Sequence, residues 1–150
     1  MTLTTDSAES TQALGAKIGA RLRGGEVIEL ISDVGGGKTE LVRGLARGMK
    51  SEDAVMSPTF TISRVYRGEA TSLHHFDFYR LQDAGVMSAE LDESIEDNDV
   101  AVAIEWSDVV EDVLPNERLQ VRIEPTGENE RRVILKAEDV MHKNLIEGLA

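Results

Sequence analysis

The feature that most constrains this chain is a glycine-rich turn between a short strand and an amphipathic helix. Residues 26–31 are short, largely apolar and β-branched, residues 35–39 read G-G-G-K-T, and apolar residues from Leu41 to Met49 then recur at helical spacing. A strand, a glycine loop and a helix in this order open an α/β unit. In such a loop backbone N–H groups surround phosphate oxygens, a lysine neutralises their charge and a hydroxyl binds magnesium. The pattern predicts a phosphate site.

The rest of the chain alternates between helical and strand patterns. Helical spacing predicts a helix over 7–23, with Asp6 as its N-cap and Glu9 completing a capping box. Strands are predicted at 57–66, 72–78, 100–104, 118–124 and 131–136, and further helices at 107–113 and 138–149. We therefore predict one α/β domain over residues 1–150. Its fold should be a three-layer P-loop NTPase fold, with a mainly parallel central sheet and antiparallel edge strands.

Length and composition narrow the class of protein. A chain of 150 residues fits one domain, and the absence of cysteine excludes a disulfide framework, a thiolate zinc site and cysteine catalysis. No apolar run approaches the roughly 20 residues of a membrane span, and the N-terminus lacks the basic and apolar regions of a signal peptide. These features predict a soluble, cytoplasmic protein with no membrane association.

Charge is distributed unevenly. The net charge is −12, yet residues 1–50 hold 7 basic and 6 acidic side chains, against 3 and 11 in residues 51–100. We interpret the six carboxylates of residues 88–99 as a solvated helix end and turn, with a partner-binding surface as the alternative. Because an acidic surface repels a phosphate backbone, we expect no tight independent binding of nucleic acid. An anionic ligand must be held by a local site in the first third of the chain.

Two carboxylates follow predicted strands and are candidate ligands for Mg²⁺ and water. Glu105 comes directly after the buried run 100–104, and Asp77 ends a weaker strand before Phe78. A carboxylate at the end of a buried strand is costly unless something binds it. The alternatives are a salt bridge from Glu105 to an arginine, and for Asp77 a pair with Arg80 or a turn cap.

Histidine and tryptophan give weaker signals. His74 and His75 are adjacent on a predicted strand, so their side chains face opposite ways and cannot share a metal ion. With His142 far along the chain, packing or surface roles are favoured for all three. Trp106 is the only tryptophan; its residue type suggests the core, but its position beside Glu105 suggests the nucleotide.

The class of phosphate-binding protein stays open at this point. No Asn-Lys-x-Asp tetrapeptide occurs, which favours adenine over guanine by elimination. A small-molecule kinase would carry an arginine-bearing lid, and R-V-Y-R at 64–67 is the one hint of such a lid in the middle of the chain. An ATPase, a small-molecule kinase and a nucleotide-dependent binding module with incidental hydrolysis all remain candidates.

Four blocks in one order resemble the TsaE family. They read S-D-V-G-G-G-K-T-E-L-V-R-G-L, S-P-T-F-T, H-F-D-F-Y-R-L and A-I-E-W, and the resemblance covers roughly residues 6–136. It implies a small Mg²⁺-dependent α/β ATPase needed for making N6-threonylcarbamoyladenosine at A37 of bacterial tRNA. Such an ATPase is weak alone and works with the protein partners TsaD and TsaB.

The resemblance also implies roles for individual residues. Lys38, Glu105 and Asp77 would be catalytic, and Thr39, Glu105 and Asp77 would hold Mg²⁺. The implied ATP-binding residues are Thr11, Asp33, Val34, Gly35, Gly36, Gly37, Lys38, Thr39, Thr59, Trp106 and Arg132. Of these, Thr11 would lie near the adenine and ribose, and Thr59 belongs to a switch-like segment at 57–60 beside the γ-phosphate. The family also has a basic position close to the nucleotide, which Arg131 or Arg132 would fill; we assign it to Arg132.

Two positions depart from the family pattern. Ser32 stands where a glycine is common, so its φ must be negative for the turn to form. Glu40 stands where a second hydroxyl residue commonly follows Lys-Thr, and a carboxylate there repels the α-phosphate unless it turns away. Both departures predict a lower nucleotide affinity than the motif alone suggests.

Overall fold

A seven-stranded sheet organises the described part of the chain. The computed structural model describes residues 1–57, 61–83 and 85–150. The strands are β1 (Thr2–Thr5), β2 (Val27–Ile31), β3 (Ser63–Arg67), β4 (Ser72–Asp77), β5 (Val100–Glu105), β6 (Leu119–Pro125) and β7 (Arg131–Lys136). Their order is β1-β7-β6-β2-β5-β4-β3. The four central strands pair in parallel, while β1, β7 and β3 pair antiparallel at the edges, which confirms the predicted fold class.

Helices cover both faces of the sheet. They are α1 (Ala8–Gly19), α2 (Lys38–Gly48), α3 (Val86–Glu96), a 3₁₀ helix (Ser107–Val110) and α4 (Val140–Ile146). The cluster on one face joins α1, α2 and α4 to the sheet, and the cluster on the other face contains Leu91 of α3. Among the described residues, no helix combines the length and apolar character needed to cross a bilayer.

Strand β5 lies at the centre of this arrangement. All six of its residues are buried, as the uninterrupted apolar run predicts. Ala101 and Ala103 belong to the cluster beneath α1 and α2, and Val102 and Ile104 to the cluster beneath α3. Because side chains alternate along a strand, Glu105 faces the same side as Ala101 and Ala103, which is the side of α2.

Helix α1 meets α2 at unusually small residues. A Cβ added to Gly44 would lie 2.1 Å from the backbone oxygen of Gln12, and one added to Gly19 would lie 2.1 Å from that of Leu45. Side chains at these positions would therefore separate the two helices. The close contact fixes α2, whose first residue follows the glycine loop, against the rest of the layer.

Several predicted boundaries were wrong. Ser7, not Asp6, is the N-cap of α1, and it shares a capping box with Ser10 instead of Glu9. The helix ends at Gly19 because the next residues form tighter turns that bond Arg21 to Ile18.

Other differences involve the edges of the sheet. No apolar pattern in the sequence predicts strand β1, which forms because its backbone pairs with β7. The strand predicted at 57–66 begins at Ser63, and Pro58, Thr59 and Phe60 lie outside the described residues. The helix predicted at 107–113 is a 3₁₀ turn ending at Val110, and the helix predicted at 138–149 covers only α4.

A buried histidine anchors α4 to the start of β2. His142 is 1% exposed; its Nε2 accepts a hydrogen bond of 3.0 Å from the Val27 N–H, so Nδ1 carries the proton that bonds to Asp139 at 2.8 Å. Asp139 is also the N-cap of α4 and accepts from the His142 N–H. Although burial raises the pKa of Asp139, its hydrogen bonds to His142 outweigh this effect and lower the pKa below 3.8.

Replacing this carboxylate should destabilise the protein in a pH-dependent way. Asp139→Ala removes the cap and leaves Nδ1 of His142 without its acceptor, so we expect a loss of about 1–2 kcal/mol at pH 7. Because the folded-state pKa of Asp139 is lowered, its stabilisation is present above pH 3.8 and is lost as the pH falls through the lowered value. Thermal unfolding followed by circular dichroism at pH 7 and pH 3 measures both effects.

The matched control is Asp92→Ala, on the exposed face of α3. That variant should unfold close to the wild type at both values of pH. A deficit of Asp139→Ala that stays constant between pH 7 and pH 3 would contradict a role for the charged carboxylate.

Candidate functional site

The glycine loop is shaped by two left-handed residues and one close approach. Gly35 and Gly37 have φ values of 77° and 107°, which favour glycine. A Cβ on Gly36 would lie 1.6 Å from Oγ of Ser32, so the serine at the start of the loop makes glycine obligatory at this position. Ser32 itself does not have a positive φ, which meets the condition for a serine to replace glycine there.

Lys38 opens α2 and turns back over the loop. Its Nζ donates to the backbone oxygens of Ser32 at 2.9 Å and Asp33 at 3.1 Å, and the residue is 7% exposed. Burial lowers the pKa of Lys38, while the charges of Glu105, Asp77 and Asp33 act in the opposite direction. The ammonium group therefore lies in an acidic environment at the mouth of the loop.

The two predicted carboxylates lie side by side. Asp77 and Glu105 are register partners at the ends of the parallel strands β4 and β5, and each is 3% exposed. Oδ1 of Asp77 accepts a hydrogen bond of 2.9 Å from the Tyr79 N–H, so Asp77 does cap the turn that follows it. Oε1 of Glu105 lies 3.4 Å from Nε2 of His75, and not beside an arginine among the described residues. Parallel pairing thus brings both carboxylates to one edge of the sheet.

Loop and carboxylates share a cavity of about 520 Å³. Its lining residues are Val34, Gly35, Gly36, Gly37, Lys38, Thr39, Glu40, Ser57, Asp77, Tyr79, Arg80, Glu105, Trp106 and Arg131. The sequence predictions named nine of these residues as binding or catalytic. A cavity of this size at the carboxyl ends of parallel strands is typical of a small-molecule site.

Trp106 forms an aromatic wall of the cavity. Its ring lies 4.8 Å from Nζ of Lys38 and 4.9 Å from the ring of Tyr79, both distances to ring centroids. The backbone of Trp106 has a φ of 54°, an uncommon conformation for a bulky residue. The side chain of Trp106 lines the cavity and also packs against the apolar cluster on the α3 face of the sheet.

A buried network holds the turn in place from the other face of the sheet. Ser107, directly after the tryptophan, donates to Glu29 at 2.6 Å, and Arg118 and Gln120 donate to the same carboxylate. Burial alone raises the pKa of Glu29, but these three hydrogen bonds outweigh it and lower the pKa. The charged carboxylate of Glu29 thus holds Ser107 and the backbone next to Trp106. Its other two partners lie on β6 and directly before that strand.

The negative charge of Glu40, the residue that departs from the family pattern, is compensated by two neighbouring side chains. Its carboxylate accepts from Nε2 of Gln12 in α1 and forms a salt bridge with Arg43 one turn further along α2. Glu40 lines the cavity, yet its charge is directed to these two partners. The carboxylate thus turns toward α1, as the sequence requires for a phosphate to bind nearby.

The structure separates the two arginines that the sequence left as alternatives. Arg131 lines the cavity and donates from Nε to the backbone oxygen of Gly36 at 3.1 Å. Arg132 pairs with Glu124 at 3.3 Å on the exposed side of β7, so its assignment to the site is corrected to Arg131. Strand alternation could have found this, because Arg131 shares its face with the buried Val133.

Two other predicted residues do not line the cavity, and a third lies outside the described residues. Thr11 is 2% exposed, and its hydroxyl bonds to Thr5 at 2.8 Å and to the backbone oxygen of Ser7. Asp33 contributes its backbone oxygen to Lys38 but lines a neighbouring cavity on the other side of Trp106. Thr59 lies outside the described residues.

Histidines do not build a metal site in the described chain. The described residues contain no group of three or more His, Asp or Glu side chains arranged to hold a metal ion. His74 bonds to Ser94 on one face of β4, and His75 faces the other side, as alternation predicts. A magnesium ion, by contrast, is commonly bound by one or two carboxylates together with substrate phosphates.

Sequence reasoning assigned no binding role to three residues that line the cavity. Tyr79 and Arg80 follow Asp77 by two and three positions, and Glu40 was treated as an obstacle. Ser57, the first residue of the switch-like segment predicted at 57–60, also lines the cavity. Proximity to Asp77 was the available signal for Tyr79 and Arg80. The site as a whole combines the glycine loop and Lys38 with the carboxylates of Asp77 and Glu105 and an aromatic wall. This combination suits a polyphosphate bound with a divalent cation.

Comparison with known proteins gives the family. The family model for the threonylcarbamoyl adenosine biosynthesis protein TsaE matches residues 5–133. A TsaE protein from Bacillus subtilis is 35% identical over 146 residues, which are 97% of this chain and 91% of the relative. A TsaE protein from Nostoc is 44% identical over 103 residues, 67% of this chain and 64% of the relative. Both carry the name tRNA threonylcarbamoyladenosine biosynthesis protein TsaE.

A solved structure agrees with the sequence comparisons. The crystal structure of YdiB from Bacillus subtilis superposes with a TM-score of 0.84 at 32% identity, covering 99% of this chain and 93% of that one. The match includes the strands that carry Asp77 and Glu105 as well as the glycine loop. With its glycine loop, its paired carboxylates and these likenesses, the chain belongs to the TsaE family.

Proposed function

We propose that this chain binds ATP with Mg²⁺ and hydrolyses it in support of N6-threonylcarbamoyladenosine formation at A37 of tRNA, with TsaD and TsaB as protein partners in the cytoplasm. The observation that carries the proposal is the convergence of Lys38, Asp77 and Glu105 on one cavity beside a glycine loop. Membership of the TsaE family supports the pathway, because its curated relatives are named for it.

The site fits a magnesium ion by the chemistry of its oxygen atoms. Asp77 and Glu105 are each 3% exposed and line one cavity with Thr39, so two carboxylates and a hydroxyl group are available to a cation there. Mg²⁺ prefers such oxygen ligands and keeps several waters. Thr39, Asp77 and Glu105 would hold the ion directly or through water, and its charge would offset that of the phosphates.

Catalysis in this proposal is positioning combined with electrostatic stabilisation. Backbone N–H groups of residues 35–39 hold the phosphates, Lys38 neutralises charge that develops during cleavage, and Glu105 with Asp77 orients the attacking water. Trp106 and Tyr79 line one side of the cavity. Arg131 adds a second positive charge beside Gly36.

Removing the lysine should abolish tight nucleotide binding. Lys38→Ala deletes a buried positive charge in direct reach of the phosphates, so we expect Mg-ATP affinity to fall by about 2–5 kcal/mol, or at least about 30-fold. Calorimetric titration measures the affinity, and circular dichroism checks that the variant folds. Lys17→Ala, at an exposed position of α1, is the matched control. Wild-type affinity in Lys38→Ala would place the nucleotide elsewhere.

Neutralising Glu105 should separate binding from turnover. Glu105→Gln retains the shape of the side chain and loses its charge, so we expect ATP affinity to persist while hydrolysis falls by about 100-fold. Phosphate release with and without TsaD and TsaB measures the effect, with Glu111→Gln on the surface as control. If turnover with the partners is unchanged, Glu105 is structural and Asp77 takes its role.

The single tryptophan should report nucleotide binding. Since Trp106 lies 4.8 Å from Nζ of Lys38, phosphate binding at Lys38 should change the emission intensity or wavelength of the indole. We expect a response to Mg-ATP, a weaker one to GTP at equal concentration, and none in Lys38→Ala. A flat titration, while calorimetry shows ATP binding, would contradict the placement of the nucleotide beside Trp106.

A further inference from the structure

A fully buried histidine lies next to the site without a use in the proposed mechanism. His75 is 0% exposed, and neither of its ring nitrogens has a hydrogen-bond partner among the described residues. A buried polar group without a partner costs free energy, so such a group in a native fold calls for an explanation.

The nearest polar atom is the catalytic candidate itself. Nε2 of His75 lies 3.4 Å from Oε1 of Glu105, and that oxygen also lacks a hydrogen-bond partner in the described chain. This distance is long for an N–H···O bond. Two unsatisfied atoms facing each other next to an active site are consistent with a bond that is loose without ligand and tightens when substrate is bound.

Strand register fixes which way the histidine faces. His75 pairs with Ala103 and Asp77 pairs with Glu105, so the imidazole is one pleat behind the two carboxylates on the same face of the sheet. His74, the next residue back, faces α3 and bonds to Ser94 at 3.0 Å. Only His75 of this pair can reach Glu105.

The surroundings of His75 leave it little freedom to turn away. The ring of Tyr66 on β3 lies 6.0 Å from the imidazole, and its hydroxyl donates at 2.8 Å to the backbone oxygen of Met56, beside the cavity-lining Ser57. Arg64 is the register partner of His75 on β3. The histidine is thus enclosed between the wall of the cavity and Glu105.

We propose that His75 is a positioning residue for Glu105. Its Nε2–H donates to Oε1 and fixes the rotation of the carboxylate, so that Oε2 is directed to the reaction centre. His75 acts through Glu105 and does not touch the nucleotide. The inference rests on the proposed ATPase function and adds to it the residue that orients its carboxylate.

The test compares two substitutions at one position. His75→Leu replaces the imidazole with an apolar side chain of similar size and so removes the hydrogen-bond donor. His75→Gln places an amide N–H close to the position of Nε2. We expect His75→Leu to lower kcat for ATP hydrolysis by about 10- to 100-fold, the range seen when outer hydrogen-bond partners are removed. KM and the calorimetric ATP affinity should change by less than about two-fold, because ground-state binding is retained. His75→Gln should recover most of kcat.

Two controls separate positioning from general damage. His74→Leu makes the same chemical change on the opposite face of β4 and should leave kcat unchanged. In a Glu105→Gln background, His75→Leu should cause no further loss, because the group that it positions is already neutral. Circular dichroism establishes folding, and His75→Asn, whose amide stops short of Oε1, replaces His75→Leu if that variant does not fold.

The outcomes distinguish this inference from the function beneath it. If the wild type hydrolyses ATP and Glu105→Gln does not, the proposed function stands, and a wild-type kcat in His75→Leu overturns the positioning role alone. Equal losses in His75→Leu and His75→Gln, with weakened ATP binding, would make His75 a core residue only. A wild-type chain that hydrolyses no ATP even with its partners overturns the function and this inference together.

Discussion

The parallel register of β4 against β5 is the constraint on which the site depends. It places Asp77 beside Glu105, sets His75 one pleat behind them, and directs all three to the face that carries α2. Parallel strands also end at one edge of the sheet, where the glycine loop after β2 already lies. A slip of one residue in either strand would turn a carboxylate to the α3 face and remove it from Lys38.

Several charged side chains in this region are buried at a cost in folding free energy. Lys38, Asp77 and Glu105 are all nearly buried, and His75 and Glu105 face each other with unsatisfied atoms. Burying such groups costs free energy that the apolar clusters on both faces of the sheet must offset. The contrast with Glu29 is informative, because that buried carboxylate has three donors and serves the backbone of the turn. Glu105 lines the cavity and has a buried oxygen without a hydrogen-bond partner among the described residues.

The two departures from the family pattern are accommodated by contacts from outside the loop. Ser32 fits because Gly36 has no side chain to meet its hydroxyl. Glu40 fits because its carboxylate accepts a hydrogen bond from Gln12 of α1 and pairs with Arg43 of α2. The close packing of α1 on α2, which small residues such as Gly44 permit, brings Gln12 within reach. The packing of these helices thus influences the electrostatics of the glycine loop.

Local sequence by itself determined the glycine loop, the buried strand β5 and the strand-end position of Glu105, because each depends on neighbours within a few residues. Tertiary structure decided the rest. Strand β1, for example, forms only through pairing with β7. Which arginine enters the cavity and which histidine meets Glu105 depend on strand register and alternation. Those are properties of how distant segments pair, and no short window of sequence contains them.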